Sequence, residues 1–338
     1  MDAILLREAG GLGDILQVGS VAEPLVRQGY RVHLYTLPDT AILTLARLIR
    51  GISHVHALQV TLDVRRPRGG VRYGMFQYLT SVLAHTNGIS GLSQNRLFDM
   101  FCPAWKIETE DVARGRMPRF SRAQAFGLGA GLKVSEIKPT RLRIPRVSHL
   151  MGTVSLPYVV FSPWSRDPAR SAQKHVYGII EALAASHTVV VLDYGTGSDH
   201  KRDMQNVLWY PQDFGGYPWR PESFTGCPDR QQAVQDTIGL VANSAAVVTV
   251  DTFCLHVAGS TNKPIVLLDG PTVAGSVARH YSNVSSCPTL FNECRGCYYE
   301  PGRGFSRSCR TEGCKVIDAM QPEAVAAELD RKLACVYS

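Results

Sequence analysis

Apolar residues along this chain follow two periods, one typical of strands and one typical of helices, and the two alternate. Near the N-terminus, residues 4–6 and 32–35 are strand-length runs rich in apolar residues. Between them, apolar residues recur at helical spacing, at Ile15, Val18, Val21, Ala22 and Leu25. The order strand, glycine-rich turn, helix, strand predicts a βαβ unit with parallel strands. The pattern weakens from about 38 to 125, where we predict helices around 40–50 and 75–102.

The same alternation begins again in the second half of the chain. Apolar runs at 157–161, 188–192, 246–250 and 264–268 predict strands, and segments at 174–185, 231–243 and 253–261 predict the helices between them. The stretch 195–230 is polar, aromatic and rich in Pro and Gly, so we expect an irregular surface insertion there. The second half therefore predicts a second parallel sheet.

These patterns predict an α/β protein with two Rossmann-like domains facing each other across a cleft. We place the domains at 1–150 and 151–320, followed by a C-terminal helix at 321–338, because 138–156 has the proline and charge content of a connector. Sheets of this kind bind ligands beyond the carboxyl ends of their strands, and domain interfaces are favoured ligand sites. The chemistry is therefore expected in the loops that follow the strands.

Composition narrows the class of protein and the nature of its partners. The chain has no apolar run long enough for a membrane-spanning helix, and its start reads as a strand rather than a signal peptide. We therefore expect a cytoplasmic protein, with a peripheral position at the inner membrane face as an alternative. Residues 1–150 carry 20 Lys and Arg against 11 Asp and Glu, whereas the remainder carries 16 against 18. This excess positive charge in the first half either increases solubility or binds an acidic partner.

A cluster of arginines in the first half is the candidate for contacting such a partner. Arginine pairs well with phosphate and carboxylate groups, and the alternative is a set of solvated loop charges. The residues are Arg65, Arg66, Arg68 and Arg72, with a second group at Arg114, Arg116, Arg119 and Arg122.

The glycine-rich turn at 10–14 is the first candidate site. Gly13 allows a close approach between the backbone and a ligand, and the helix that follows presents free N–H groups. Asp14 has two interpretations. It is either a helix cap and first-turn charge, or a general base that deprotonates an attacking hydroxyl.

The second candidate site is the turn at 250–256, where a strand runs into a helix. Thr252 and His256 are four residues apart and share one helix face, with Asp251 at its start. A carboxylate, a hydroxyl and an imidazole beside a helix N-terminus suit phosphate or sugar binding. The alternative is a capped helix with a half-buried histidine.

Both sites lie in segments that resemble glycosyltransferase family 9, the ADP-heptose:lipopolysaccharide heptosyltransferases. The stretch VTVDTFCLHVAGSTNKPIVLLDGPT, at 248–272, resembles the donor-site segment of that family, which has an Asp-Thr-Gly-x-x-His-x-Ala pattern. GGLGDILQVGSVAEPLVRQGYRVHLYT, at 10–36, resembles its N-terminal segment. The loop at 162–175 is similar to its phosphate-binding loop.

The resemblance implies a B-type glycosyltransferase fold and inverting transfer of a sugar, heptose by family default, from a nucleoside diphosphate. The ADP-linked donor is the first choice, and the acceptor is a hydroxyl of a bacterial glycan or protein. Asp14 matches the base, and Lys174 matches the lysine that neutralises the leaving diphosphate. The matched donor-binding positions also include Gly13, Ser162, Ser165, Asp251, Thr252 and His256.

Three departures from the family pattern leave the sugar and the nucleotide base open. Phe253 follows the Asp-Thr pair where a small residue is usual, and Asp269 precedes Gly-Pro-Thr where an aromatic residue is common. Val176 occupies the place of a tryptophan.

Four of the nine cysteines have the spacing of a metal site near the C-terminus. They are Cys294, Cys297, Cys309 and Cys314, within the segment 287–315. Four thiolates satisfy tetrahedral coordination, and zinc is the default metal. The alternative is a set of free thiols or disulfides formed after purification. A branch of the same family, the autotransporter heptosyltransferases, is similar in carrying four cysteines that hold iron. We expect a structural role in either case.

Two further functions remain as alternatives. The basic first half is compatible with a glycosyltransferase that modifies DNA or another nucleic acid. The other alternative is a non-enzymatic protein that binds nucleic acid or serves as a scaffold. Such a protein would be built on a decayed transferase fold and would contain a metal. A decayed transferase fold needs none of the residues matched to the family's site, yet this chain has Asp14, Lys174, Asp251 and His256 together. The sequence leaves the oligomeric state open.

Overall fold

The description below rests on a computed structural model of the chain. It covers residues 1–7, 11–57, 96–99, 102–114, 116–165, 168–172, 174–193, 200–214, 228–299 and 313–337.

The first sheet has four parallel strands in the order β3-β2-β1-β4. The strands are β1 (Asp2–Arg7), β2 (Arg31–Thr36), β3 (Ile52–Ala57) and β4 (Arg96–Asp99). The helices of this half are α1 (Leu12–Arg27), α2 (Thr40–Leu48), α3 (Cys102–Ala113), α4 (Arg122–Gly129) and α5 (Ser148–Met151). The predicted βαβ unit is present, because β1 and β2 pair in parallel and α1 connects them.

The second sheet has six parallel strands in the order β10-β9-β8-β5-β6-β7. The strands are β5 (Tyr158–Ser162), β6 (Thr188–Leu192), β7 (Val207–Tyr210), β8 (Ala246–Thr249), β9 (Ile265–Leu267) and β10 (Val284–Ser286). The helices of this half are α6 (Val176–Ala184), α7 (Pro228–Asn243), α8 (Phe253–Ser260), α9 (Ala274–Val277), α10 (Lys315–Asp318) and α11 (Pro322–Tyr337). The last of these packs against α6 and β9.

Helices join the two sheets through one continuous apolar core. α1 packs against α8, and α2 packs against α7, so each contact pairs a helix of the first sheet with a helix of the second. The buried cluster between them includes Leu5 and Leu34 of the first sheet together with Val160 and Val247 of the second. Burial of this shared surface fixes the two sheets relative to each other. It thereby brings the start of α1 close to the start of α8.

Two sequence-based predictions of secondary structure were wrong. Val207–Tyr210 lies inside the stretch expected to be an irregular insertion, yet it forms the edge strand β7. Arg96–Asp99 lies inside a predicted helix at 75–102, yet it forms β4, and 75–95, 100 and 101 lie outside the described residues. Both strands have only four residues, and so short a run shows too little of a period to distinguish strand from helix. The domain boundaries at 150 and 320 stay predictions.

Among the helices described, none is long and apolar enough to cross a membrane.

Candidate active site

Asp14 lies in the first turn of α1, directly after the carboxyl end of β1. Its Oδ2 accepts a hydrogen bond of 2.9 Å from the backbone N–H of Gly11, which caps the helix. A carboxylate in this position is also stabilised by the helix dipole. The capping role considered for Asp14 is therefore real, and it uses one of the two carboxylate oxygens.

The other oxygen of Asp14 is held by two arginines from distant parts of the chain. Arg122 Nη1 lies 2.9 Å from Oδ1, and Arg7 Nη2 lies 3.4 Å from the same atom. Arg122 also reaches Glu108, with Nη2 3.3 Å from Oε1. Burial alone would raise the pKa of Asp14, but the charges of the two arginines and the Gly11 N–H outweigh it and lower the pKa to about 2. Asp14 is therefore a carboxylate at any physiological pH.

The lowered pKa of Asp14 makes a testable contribution to stability. Because the folded-state pKa lies below the ordinary value of 3.8, the stabilisation is complete above pH 3.8 and is lost as the pH falls towards 2. The expected contribution is about 2 kcal/mol. Urea unfolding of wild type and Asp14→Asn should show a stability difference that shrinks by this amount between pH 5 and pH 2. A difference that does not vary with pH would contradict the proposed ion pairs.

The second site is the junction between β8 and α8. Asp251 Oδ2 accepts hydrogen bonds from Arg170 Nη1 at 3.1 Å and from the Thr272 hydroxyl at 2.8 Å. Thr252 is the N-cap residue of α8, but its side chain does not cap the helix. The first N–H groups of α8 therefore keep no intrahelical partner, which is the arrangement that suits a bound phosphate.

His256 lies between the two sites. Its side chain is 4% exposed, and its Nε2 lies 3.4 Å from Gln17 Nε2 on α1 and 3.9 Å from Asp251 Oδ1. On the other side of the ring, Nδ1 is within hydrogen-bonding distance of the Tyr281 hydroxyl, at 3.0 Å. Burial lowers the pKa of His256 although the nearby Asp251 and Asp14 carboxylates favour its charged form. One neutral imidazole therefore separates the two acidic turns.

Gly13 is the point where α1 meets His256. A Cβ built at Gly13 would lie 2.7 Å from His256 Cδ2, a distance that no real side chain adopts. The absence of a side chain is therefore what lets the start of α1 approach α8. In this arrangement the side chain of His256 packs between the helices, so its predicted contact with a donor stays a prediction.

The predicted phosphate-binding loop follows β5. Ser162 is buried at the end of the strand, and its hydroxyl is hydrogen-bonded to the Cys254 thiol of α8. The backbone N–H of Ser165 donates to the Ser171 hydroxyl at 2.9 Å, which closes the loop on itself. Lys174 is exposed, and its backbone N–H donates to Asp318 at 3.3 Å. The cation beside Asp251 is Arg170 of the same loop.

The cysteine-containing segment packs against the loop that follows β9. The N–H of Gly296 donates to the Gly270 carbonyl at 2.8 Å, and that of Tyr298 donates to the Pro271 carbonyl at 3.0 Å. Arg295 forms an ion pair with the buried Asp269. The aspartate that departs from the family pattern therefore faces the cysteine segment.

Tyr299, which belongs to the cysteine-containing segment, lies at the candidate site. Its side chain is buried and hydrogen-bonded to Ser276, and burial together with the nearby Glu108 carboxylate raises the pKa of its hydroxyl. Asp251 and Arg122 are also within electrostatic range. Tyr299 therefore lies within electrostatic range of charged groups in both halves of the site.

The four-cysteine metal site stays a prediction. Cys297 and Cys314 are buried and Cys294 is half-buried, while Cys309 lies outside the described residues. Within the described part of the chain, no group of three or more His, Cys, Asp or Glu side chains is placed to hold a metal ion. The three described thiols alone therefore do not make such a site.

Several site residues were not predicted in their roles. Arg7 and Glu108 lie around Asp14 but belong to no recognised motif. The other unpredicted residues lie inside recognised segments, namely Arg170 in the phosphate-binding loop, Thr272 in the donor-site segment and Tyr299 in the cysteine segment. Arg122 belongs to the second group of arginines proposed to face an acidic acceptor, but its contact with Asp14 was not predicted. The predicted acceptor arginines Arg65, Arg66, Arg68 and Arg72 lie outside the described residues.

Comparison with known proteins identifies the fold. No protein-family model and no curated protein matches the sequence. Among solved structures, a family 9 glycosyltransferase from Veillonella parvula matches with a TM-score of 0.61 at 11% identity, covering 98% of this chain and 97% of that one. E. coli ADP-heptose lipopolysaccharide heptosyltransferase II matches with a TM-score of 0.56 at 12% identity, covering 100% of each chain. This chain has the B-type glycosyltransferase fold.

A third solved structure that resembles this chain is also a glycosyltransferase. TibC from enterotoxigenic E. coli, described as an iron-containing dodecameric glycosyltransferase, matches with a TM-score of 0.58 at 15% identity, over 99% of this chain and 76% of that one. A further TibC structure contains ADP-D-beta-D-heptose. These likenesses confirm the glycosyltransferase fold predicted from the sequence.

Proposed function

We propose that this protein is an inverting glycosyltransferase that moves a sugar from a nucleoside diphosphate, ADP by first choice, to an acceptor hydroxyl. One observation carries the proposal. The carboxylate at the start of α1 and the uncapped N-terminus of α8 meet on either side of a single imidazole, His256. A base on one side and an anion-binding helix start on the other are the two parts that such a transfer needs.

The proposed reaction is a single displacement. Asp14 accepts the proton of the acceptor hydroxyl while the hydroxyl oxygen forms a bond to the anomeric carbon of the donor. The bond between that carbon and the diphosphate oxygen breaks, and the nucleoside diphosphate leaves with the electron pair. The α8 N-terminus and Lys174 stabilise the charge that develops on it.

The donor-binding roles of the remaining residues follow from their positions. Asp251 faces hydroxyls of the donor, oriented by Arg170 and Thr272, which already hold its Oδ2. Ser162, Ser165 and Thr252 line the loops at the carboxyl ends of β5 and β8. Heptose is the proposed sugar, and a bacterial glycan or protein is the proposed acceptor. A structural metal, zinc or iron, held by the four cysteines is part of the proposal, and no step of the reaction uses it.

The compartment and assembly are also proposals. We propose a cytoplasmic enzyme, and TibC makes an oligomer a reasonable expectation, since that protein is dodecameric. A nucleic-acid acceptor depends on the positive charge of the first half, and no described contact favours it over a glycan or protein.

Donor binding is tested by thermal shift with a panel of nucleotides and nucleotide sugars. A ligand at 100 times its Kd stabilises the folded protein by about 2.7 kcal/mol, so ADP or an ADP-linked sugar at millimolar concentration should raise the Tm. Asp251→Asn should weaken donor binding about tenfold or more, because a charged hydrogen-bond acceptor is lost. No shift with any member of the panel would overturn the proposal.

Asp236→Asn is the matched control for Asp251→Asn. Asp236 is also buried and hydrogen-bonded, to Tyr210 and Gln232, but it lies on α7 away from both aspartate turns. It should lower the Tm without changing the affinity for the donor. An equal loss of affinity in both variants would show that Asp251 acts only through stability.

A further inference from the structure

The base of the proposed reaction is blocked in this structure. Gly11 occupies Oδ2 of Asp14, and Arg7 and Arg122 both lie on Oδ1. An acceptor hydroxyl must donate its proton to one of these two oxygens. A carboxylate with both oxygens engaged by fixed donors is a poor base, because proton transfer must break a charge-assisted hydrogen bond.

The two arginines are not equally free to leave. Arg7 is 4% exposed, lies on β1 and is positioned over the ring of Phe126 at 5.5 Å. Arg122 is 33% exposed and begins α4, at the edge of the site. An arginine that is one-third exposed can turn towards a ligand, whereas the buried one is held on both sides. Arg122 is therefore the movable cation.

Glu108 gives Arg122 a second anchor. The guanidinium contacts Asp14 through Nη1 and Glu108 through Nη2, so it bridges two carboxylates at 2.9 and 3.3 Å. If it leaves Asp14, the remaining contact with Glu108 keeps it at the site. The arginine can therefore exchange one anion for another while it stays paired with a carboxylate.

We propose that Arg122 is a switch on the base, released from Asp14 by an anionic group that the acceptor carries beside its reacting hydroxyl. This inference rests on the proposed function and adds to it the chemical class of the acceptor and the control of the base. When the anion pairs with Nη1 of Arg122, Oδ1 of Asp14 loses its shorter contact and keeps the longer one with Arg7, at 3.4 Å. The lone pair that Arg122 vacates can then accept a hydrogen bond from the acceptor hydroxyl. Among the described residues, the other titratable or charged groups that face this position are Arg7, Glu108, His256 and Tyr299.

The switch prevents a wasteful reaction. A base that is always open would also activate water and hydrolyse the donor. With Arg122 in place, only an acceptor that brings its own anion exposes the base. Neutral hydroxyl compounds of the same shape are therefore expected to be poor acceptors.

The first test uses donor hydrolysis in the absence of an acceptor, with inorganic phosphate as the probe. The ADP-linked sugar that gives the largest Tm shift is held at saturation, and ADP release is followed. Phosphate should raise wild-type hydrolysis about fivefold or more. Arg122→Gln should hydrolyse the donor at the phosphate-stimulated rate without phosphate and should not respond to it.

Arg141→Gln is the matched control. Arg141 also forms an ion pair with a carboxylate of α1, Glu23 at 2.7 Å, but has no contact with Asp14 among the described residues. It should keep the low basal rate and the phosphate response of wild type. The switch is overturned if phosphate leaves wild-type hydrolysis unchanged, or if Arg122→Gln is no faster than wild type.

Asp14→Asn separates failure of the switch from failure of the proposed function. With phosphate present, this variant should hydrolyse the donor much more slowly than wild type if Asp14 is the base. If it hydrolyses the donor as fast as wild type under that condition, the proposed function itself fails.

A structural measurement remains available if Arg122→Gln does not fold. Crystals of wild-type protein soaked in inorganic phosphate should show the anion on the Arg122 guanidinium. The distance from Arg122 Nη1 to Asp14 Oδ1, 2.9 Å here, should lengthen beyond about 4 Å. Phosphate that binds while Arg122 stays on Asp14 would overturn the inference.

Discussion

Asp14→Asn is expected to lower kcat about a thousandfold while leaving the affinity for the donor unchanged. Loss of a positioned general base typically costs between a hundredfold and ten-thousandfold. An amide oxygen can still accept the Gly11 N–H, so α1 keeps its cap, but it cannot accept a proton from an acceptor hydroxyl. Steady-state rates at saturating donor, together with donor affinity by calorimetry, check the two parts separately.

Asp111→Asn controls for the loss of an aspartate held by two arginines. Asp111 is fully buried and pairs with Arg116 and Arg119, so it has the same kind of environment as Asp14 in the same half of the chain. It lies outside the junction with α8. At a temperature where both variants are folded, Asp111→Asn should keep kcat within a few-fold of wild type. A large loss of kcat in both would trace the effect of Asp14→Asn to stability.

The sequence predicted the two turns of the site because each is a local pattern. The glycines before Asp14 and the strand that ends at Asp251 are readable within a few residues, since strand, turn and helix have short periods. The meeting of the two turns was expected from the general rule that α/β sheets bind ligands at the carboxyl ends of their strands.

The charged groups around Asp14 could not be predicted in the same way. Arg122 lies 108 residues away from Asp14 in the sequence, and Glu108 lies 14 residues before Arg122. Their contact depends on the packing of α4 against α1 and of α3 against α4, which no short-range pattern encodes. The sequence identified Arg122 as one of four arginines that are candidates to face an acidic acceptor, but not as a partner of Asp14.

The prediction of Lys174 as the cation of the donor loop shows a related difficulty. The resemblance assigns Lys174 to the leaving diphosphate, and that role stays a prediction, whereas the side chain that pairs with Asp251 belongs to Arg170, four residues earlier. A loop can present any of its cations to the same carboxylate, because loop geometry rather than periodicity decides which one points inward. The diphosphate role of Lys174 therefore needs its own test.

The closeness of α1 and α8 is the physical condition on which both proposals depend. Burial of the helices between the sheets supplies the attraction, but the distance of closest approach is set at Gly13 and His256. The ring cannot move away easily, because Tyr281 and Gln17 hold its two nitrogens. A single added methyl group at this point should therefore separate the base from the donor turn.

Gly13→Ala should thus lower both the stability and the activity of this protein. Its Cβ would lie 2.7 Å from His256 Cδ2, so α1 must shift, at a cost of about 1–3 kcal/mol in stability. A displacement of the base by about 1 Å is expected to lower kcat/KM about a hundredfold. Gly11→Ala is the matched control two residues earlier: a Cβ there meets no described atom within 4 Å, and its φ of −98° suits any residue. It should keep near wild-type activity, and equal losses in the two variants would show that the glycine-rich turn acts through its flexibility instead of through the contact with His256.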